Sequence, residues 1–183
     1  MITFIEHEHT GYALRTRDNV MLSDGTLCFA VDFKSPGCTL THKCAYGAGK
    51  PFIRIDLNEY EVMTERQALG IAEQLMDHNI LNLNIAGNSM THLRSKYTQE
   101  GINAKIADCM NKIHALWPID SVRTGGQGGV DLAAGIWSDS VGLPTTVLAP
   151  KGWMYRGDDG RDRLDEYGFI KRFGNKYDLS DIF

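Results

Sequence analysis

The chain has 183 residues, 43% of them hydrophobic, and a formal net charge of −4. That length suits one domain with a real buried core, and the acidic balance excludes a general electrostatic pull toward nucleic acid or an anionic membrane. No stretch approaches the roughly 18 consecutive apolar residues of a transmembrane helix, Met1 to His9 lack the basic and apolar regions of a signal peptide, and Cys28, Cys38, Cys44 and Cys109 form no C-x-x-C pair, so a reduced, cytoplasmic protein is expected.

In chain order, Thr10 to Met21 reads as a polar helix with Gly11 near its start, and Ser23-Asp24-Gly25 as a turn. Thr26 to Val31 is an apolar run of buried-strand type. Ser35-Pro36-Gly37-Cys38-Thr39 then opens a helix to about Ala48; its small polar residues suit a cap and also an anion cradle. Phe52 to Asp56 reads as a strand. Thr64 to His78 is an amphipathic helix with Thr64 and Gln67 spaced as a capping box. Leu81 to Ala86 is a buried strand that ends in the turn Gly87-Asn88-Ser89. Met90 to Thr98 reads as a loop and Gly101 to Trp117 as a second amphipathic helix stopped by Pro118.

The stretch from Ser121 to Lys151 organises the rest. A short strand ending at Val122 runs into Gly125-Gly126-Gln127-Gly128-Gly129, a turn with almost no side chain. A helix follows, with Val130, Ala133, Ala134 and Trp137 at helical spacing. Gly142-Leu143-Pro144 stops it, and Thr145 to Ala149 is the next strand. So many glycines serve either positive φ or close backbone approach. A turn of this kind opening a helix offers free N–H groups and the positive end of the helix dipole, which suits phosphate or carboxylate. The plain alternative is a tight turn without a ligand. No Gly-Lys-Ser/Thr follows, so it is not a Walker A loop, and the dinucleotide fingerprint is incomplete. After Lys151, Trp153 to Asp162 is polar and reads as a solvated loop or a flap over the site. The tail to Phe183 alternates aromatic and charged residues, which suits docking on the domain or on a second subunit.

Strands alternate with helices, and glycine- or Ser/Thr-rich turns follow three of the strands. In an open parallel sheet such turns gather at the carboxyl edge, where ligands bind. His7, His9 and His42 with Cys38 and Cys44 fit no standard zinc spacing, so no metal is expected. The G-x-S-x-G and H-E-x-x-H motifs are absent.

Thr124 to Asp131, with Gly142-Leu143-Pro144 and Pro150-Lys151-Gly152 downstream, is similar to the opening of the putative molybdenum carrier family, part of the SLOG group of Rossmann-like proteins. That group also holds the lonely-guy nucleoside-monophosphate phosphoribohydrolases. Here the segment comes late in the chain. The family's later segments resemble the earlier half: Tyr12-Ala13-x-Arg15-Thr16-x-x-Asn19-Val20-x-x-Ser23-Asp24-Gly25-Thr26-Leu27, the turn Ser35 to Thr41, Lys50-Pro51 with Ile55-Asp56-Leu57, and Leu83 to Gly87. The order implies a circular permutant, opened just before the Tyr12 helix, with His9–Tyr12 lying near the segment after Lys151. The sequence departs from the family at Gly128, where Thr is usual, at Leu132, and in the Ser35–Cys38 turn. It also lacks the glutamate of the lonely-guy motif.

The expected fold is thus α/β, a Rossmann-like open and mostly parallel sheet flanked by helices, one SLOG-like domain over residues 1–183 with a polar loop and tail at 152–183. The expected ligand site comprises Gly125, Gly126, Gln127, Gly128, Gly129 and Asp131; Ser35, Gly37, Cys38 and Thr39; and Gly87, Asn88 and Ser89. Arg15, Lys151 and Arg156 are its candidate cations, and Asn19 shares a helix face with Arg15. Asp131 serves either the helix dipole or a ribose or base contact, and would be the catalytic carboxylate of an enzyme. The leading expectation is a binding module for a nucleotide-derived or other phosphate-bearing small molecule, the resemblance adding a molybdenum-cofactor-like ligand. An N-glycosidic-bond-cleaving enzyme and a ligand-free interaction module are the alternatives. A homo-oligomer is expected, with no nucleic-acid or membrane partner.

Overall fold

The computed structural model of the protein describes residues 1–59, 61–157 and 160–174. Strand β1 (Ile2–Glu6) leads into α1 (Ala13–Met21). Then come β2 (Gly25–Ala30) and α2 (Pro36–Gly47), β3 (Phe52–Asp56) and α3 (Glu65–Asp77), and β4 (Asn82–Gly87) with the short α4 (Met90–Leu93) and the long α5 (Gln99–Leu116). β5 (Ser121–Thr124) and α6 (Val130–Ser140) precede β6 (Thr145–Ala149), a small antiparallel hairpin of β7 (Met154–Arg156) and β8 (Asp162–Leu164), and α7 (Glu166–Lys171).

Six strands form one sheet in the order β1-β6-β5-β4-β2-β3, and every neighbouring pair is parallel. The fold is therefore the expected Rossmann-like α/β sheet, with Thr26 to Ala30 in an interior strand. Alternation along the strands divides the core. Leu27, Phe29, Ile53, Ile55, Leu83, Ile85 and Val122 face α3, α5 and α6 and are buried with Leu75, Ile106 and Trp137. Cys28 and Ala30 face the other way and pack with Cys38 of α2. On the first of these faces, near β1 and β6, Val147, Ala149 and Leu132 are closed over by Phe169, Ile170 and Phe173.

Local chemistry sets the element ends. Thr64 and Gln67 form the reciprocal capping box, Thr98 caps α5 through the Gly101 N–H, and Ser35 caps α2 with Pro36 in the first turn. Three expectations need correcting. The first helix starts at Ala13 rather than Thr10, because Gly11 sits at φ +87°, outside helical backbone. Met90–Thr98 is not all loop: α4 forms there and buries Leu93. The 152–183 segment is not simply a polar loop, since Tyr155, Phe169, Ile170 and Phe173 are buried beneath a hairpin and α7; Asp158, Asp159 and residues 175–183 lie outside the described residues.

The elements flanking the cyclic junction meet as expected. The Lys151 N–H bonds the His9 carbonyl at 3.4 Å, and the Gly152 N–H reaches Glu6 Oε1 at 2.5 Å. The break in cyclic order falls one element earlier than the motifs suggest. β1 lies beside β6 as the strand that would follow α7, and Phe4 stacks edge-on against Phe173 with centroids 5.1 Å apart.

Replacing Thr64 with Ala removes one half of the capping box, and a loss of about 1 kcal/mol is expected in urea-induced unfolding with an unchanged m-value.

Candidate functional site

The chain steps outward from β2 to β3, then returns past β2 to β4 and continues to β5 and β6. The connections leaving β2 and β4 therefore run to opposite sides, which opens a crevice at their carboxyl ends, the usual ligand position in such sheets. Asn88, just beyond β4, spans it. Its Oδ1 accepts the N–H groups of Val31 at 2.9 Å and Asp32 at 3.0 Å. Its Nδ2 donates to the Asp32 carbonyl and to Ser35 Oγ, each at 3.0 Å, and lies 3.3 Å from Cys38 Sγ. Asn88 is thus a buried brace between the exits of β2 and β4.

The same exit from β4 holds the glycine turn after β5. Ser89 and Gly129 form an antiparallel bridge, the Val130 N–H bonds the Asn88 carbonyl at 3.2 Å, and the Met90 N–H bonds the Gly128 carbonyl at 3.1 Å. Gly129 caps α6 at φ +105°, and a Cβ there would come within 2.5 Å of the Asn88 carbonyl oxygen. Gln99 of α5 takes both sides of this residue, accepting the Gly129 N–H at 2.6 Å and donating to its carbonyl at 3.0 Å. Nothing in the spacing around Gln99 marks that role.

Two arginines hold the next carbonyls. Arg15 of α1 donates through Nη1 to the Gly125 carbonyl, and Arg172, just past α7, donates to the Gly126 carbonyl at 2.7 Å while lying over the Tyr155 and Phe169 rings. Arg15 is buried, with its Nε unpaired and Tyr12 stacked 5.3 Å away. Asp131, in the first turn of α6, has a carboxylate oxygen 4.0 Å from Arg15 Nη1 and a side chain only 15% exposed. Burial raises its pKa to about 6, against the opposing pull of Arg15 and the Gln127 and Gly125 amides. Burial likewise lowers the Arg15 pKa. In both groups desolvation outweighs the mutual attraction across 4.0 Å.

The expected residues divide by what they touch. The Gly125–Asp131 turn, Gly87–Ser89 and Ser35–Cys38 converge, but much of their chemistry is spent inside the protein. Arg15 points its charge inward at the turn. Asn19 is buried with Oδ1 unpaired. Thr39 Oγ1 bonds the Lys34 carbonyl, and Gln127 Nε2 donates to the Met154 carbonyl. Lys151 is exposed just past β6, its backbone N–H bonded to the His9 carbonyl. Arg156 does not stand free as a site cation: it pairs with Asp162 across the hairpin at 2.8 Å. Gly126 does not leave its face open either. At φ +69°, a Cβ would meet Phe169 Cζ at 2.6 Å and Val147 Cγ1 at 2.7 Å, so its glycine makes room for α7. At Gly128 the nearest atoms are 3.7 Å from a built Cβ, and among the described residues the N–H groups of Gly126 and Gly128 have no partner within the protein. Arg172 and Phe169 escaped the sequence reading; only the aromatic and charged alternation of the tail hinted at them. His7 bonds Asp18 at 3.0 Å with the His9 ring 5.6 Å away, and His42 packs on Phe52; among the described residues no three His, Cys, Asp or Glu side chains cluster to hold a metal.

A family model described as the circularly permutated YpsA SLOG family matches residues 2–113, from β1 through most of α5. The chain belongs to that family. The matched stretch holds Arg15, the Ser35 turn and Asn88, and ends before the glycine turn. No curated protein matches the chain. Among solved structures it is similar to a putative molybdenum carrier protein from Syntrophus aciditrophicus SB, at 31% identity over 56% of this chain and 60% of that one, with a TM-score of 0.46. A signal recognition particle 54 kDa protein from Aeropyrum pernix K1, in complex with GDP, aligns at 12% identity over 99% of this chain and 47% of that one, with a TM-score of 0.37. The chain thus spans 60% of the length of the carrier protein it matches.

Replacing Gly126 with Val should cost about 2–5 kcal/mol, from overpacking plus left-handed backbone, whereas Gly128→Ala should stay within about 1 kcal/mol of the parent; thermal unfolding of the two variants distinguishes them. Asp131 supplies a pH test. Its folded pKa of about 6 lies above the ordinary 3.8, so the stability it contributes is full below that lower value and is lost as pH rises through the higher one. The loss amounts to about 3 kcal/mol, and urea titrations between pH about 4 and about 7 should show it in the parent and not in Asp131→Asn.

Proposed function

We propose that the chain binds a nucleotide-derived or other phosphate-bearing small molecule at the carboxyl edge of its sheet, to capture, carry or sense it. The observation that carries this reading is the convergence of three turns on one crevice, with the unpartnered amides of Gly126 and Gly128 beside the start of α6. An acidic chain that binds an anion draws its positive potential from such amides, from the helix dipole and from a few cations. Arg15 and Arg172 supply two of these behind the turn, and the exposed Lys151 just past β6 is a further candidate. Membership of a SLOG family supports a ligand at this edge, and a pterin-like cofactor falls within the same phosphate-bearing class. Among the described residues no helix is long and apolar enough to cross a membrane.

Asp131 favours a second reading, cleavage of an N-glycosidic bond. A buried carboxyl with a pKa of about 6 can hold or release a proton near neutral pH. In this reading Asp131 protonates or stabilises the leaving base while the turn holds the phosphate.

Gly128→Val is the deciding variant, because a Cβ there makes only ordinary van der Waals contact, 3.7 Å from Gln99 Oε1 and Met90 Cγ, and its backbone is ordinary. Calorimetry with AMP and ADP should give binding to the parent and at least a tenfold loss in folded Gly128→Val. Equal affinity in the two proteins would refute the cradle. If AMP is cleaved, adenine should appear by chromatography and vanish with Asp131→Asn.

A further inference from the structure

Behind the crevice, Cys28 of β2 and Cys38 in the first turn of α2 bring their sulfurs within 3.6 Å. Both are buried, packed with Phe33 and Phe52, and Cys38 directly follows the exposed Pro36-Gly37 in the first turn of α2. The two sulfurs differ in their surroundings. Cys38 lies 3.3 Å from the donating Nδ2 of Asn88, and its backbone N–H bonds Ser35 Oγ at the positive end of the α2 dipole. Cys28 sits mid-strand in the sheet with no such donors and gives its S–H to Cys38. Accordingly the hydrogen bond from Cys28 pulls the Cys38 pKa down, and the same bond with burial pushes Cys28 well up.

We propose that Cys28 and Cys38 are a dithiol oxidised by hydroperoxides to a reversible disulfide, with Cys38 the attacking sulfur and Cys28 the resolving one. The Cys38 thiolate attacks the outer oxygen of the peroxide; an S–O bond forms, the O–O bond breaks, and the departing hydroxide or alkoxide takes up a proton as water or alcohol. The Cys28 sulfur then attacks Cys38. The S–S bond forms, the S–O bond breaks, and hydroxide leaves with the Cys28 proton as water. The two sulfurs must close from 3.6 Å to about 2 Å, a contraction that draws Cys38 from Asn88 and so disturbs the brace across the crevice. Oxidation of the pair requires no ligand at the glycine turn.

The test treats reduced protein with hydrogen peroxide, alkylates remaining thiols in denaturant and maps the peptides. Expected are a mass loss of about 2 Da, a linked Cys28–Cys38 peptide pair that dithiothreitol separates, and Cys109 recovered in alkylated form. Cys44, the least buried of the four, reports that peroxide has acted. Cys28→Ser should accumulate a sulfenic acid on Cys38 that a cyclic 1,3-dione traps, and Cys38→Ser should leave Cys28 a thiol. Recovery of both Cys28 and Cys38 as free thiols at peroxide levels that oxidise Cys44 overturns the proposal, as does a Cys38–Cys44 linkage or a trapped sulfenic acid on Cys28. Mapping of the parent protein decides these outcomes even where a serine variant fails to fold.

Discussion

One buried side-chain amide ties the carboxyl edge together. The exits of β2 and β4 diverge, and two backbone N–H groups at Val31 and Asp32 would be left without partners where they part. Asn88 satisfies both, and its amide nitrogen satisfies the Asp32 carbonyl and the Ser35 cap in return. A side-chain amide carries two donor hydrogens and a two-lone-pair acceptor on one planar group, enough for all four of these bonds, and the longer Gln would not hold this reach. A buried network of this kind is stabilising because every member is paired; one unpaired member costs about 1–3 kcal/mol. The Asn88 carbonyl extends the same network to Val130, so the start of α6 and the start of α2 are set by one residue.

From that brace the glycine turn acquires its two-sided character. Its inner side is a packing surface: Gly125 lies against Arg15 and Asp131, Gly126 against Phe169 and Val147, and Gly129 against the β4 exit. Arg15 and Arg172 fix two successive carbonyls toward the protein, and in a planar peptide the N–H that follows a carbonyl points the opposite way. Pinning the Gly125 carbonyl to Arg15 therefore turns the Gly126 N–H away from Arg15. The glycines thus make space for the protein's own side chains, and through them fix the orientation of the turn's peptide planes. The buried Arg15–Asp131 pair is weak support for stability in its own right, since desolvation offsets much of its attraction; its value lies in where it holds the turn.

Much of the fold was legible because its signals are local. The Thr64 capping box, the strand at Phe52–Asp56 and the turn that opens α6 are written in adjacent residues. The permutation was legible from motif order. The position of its break was not, because Met1–Glu6 carries an edge strand whose partner, β6, lies at the far end of the chain. Pairing so distant leaves no periodicity to read. The hairpin and α7 were hidden for a related reason: their exposed polar residues dominate the composition, while the few buried ones, Tyr155, Phe169 and Phe173, find their partners in β1, β6 and α6. At the site, residue type predicted proximity better than role. Gly126 reads the same in sequence whether a ligand or Phe169 fills its missing side chain, and Asn88 reads the same whether it faces solvent or braces two loops.

The location of the break has a physical consequence for the site. In uninterrupted order β6, α7 and β1 would form one right-handed crossover, the commonest parallel unit. Here β1 instead precedes α1, and it is tied to β6 by the ladder, by Ile2 beneath the α7 aromatics and by Phe4 against Phe173. Closing such a distant pairing costs loop entropy before any contact compensates. α7 is held to the sheet by the aromatic cluster and the Arg172 bond to Gly126. The element that covers the glycine turn and the strand that completes the sheet therefore depend on each other. A change that loosens β1 from Phe173 acts on the Gly126 carbonyl across that cluster, without touching the turn itself.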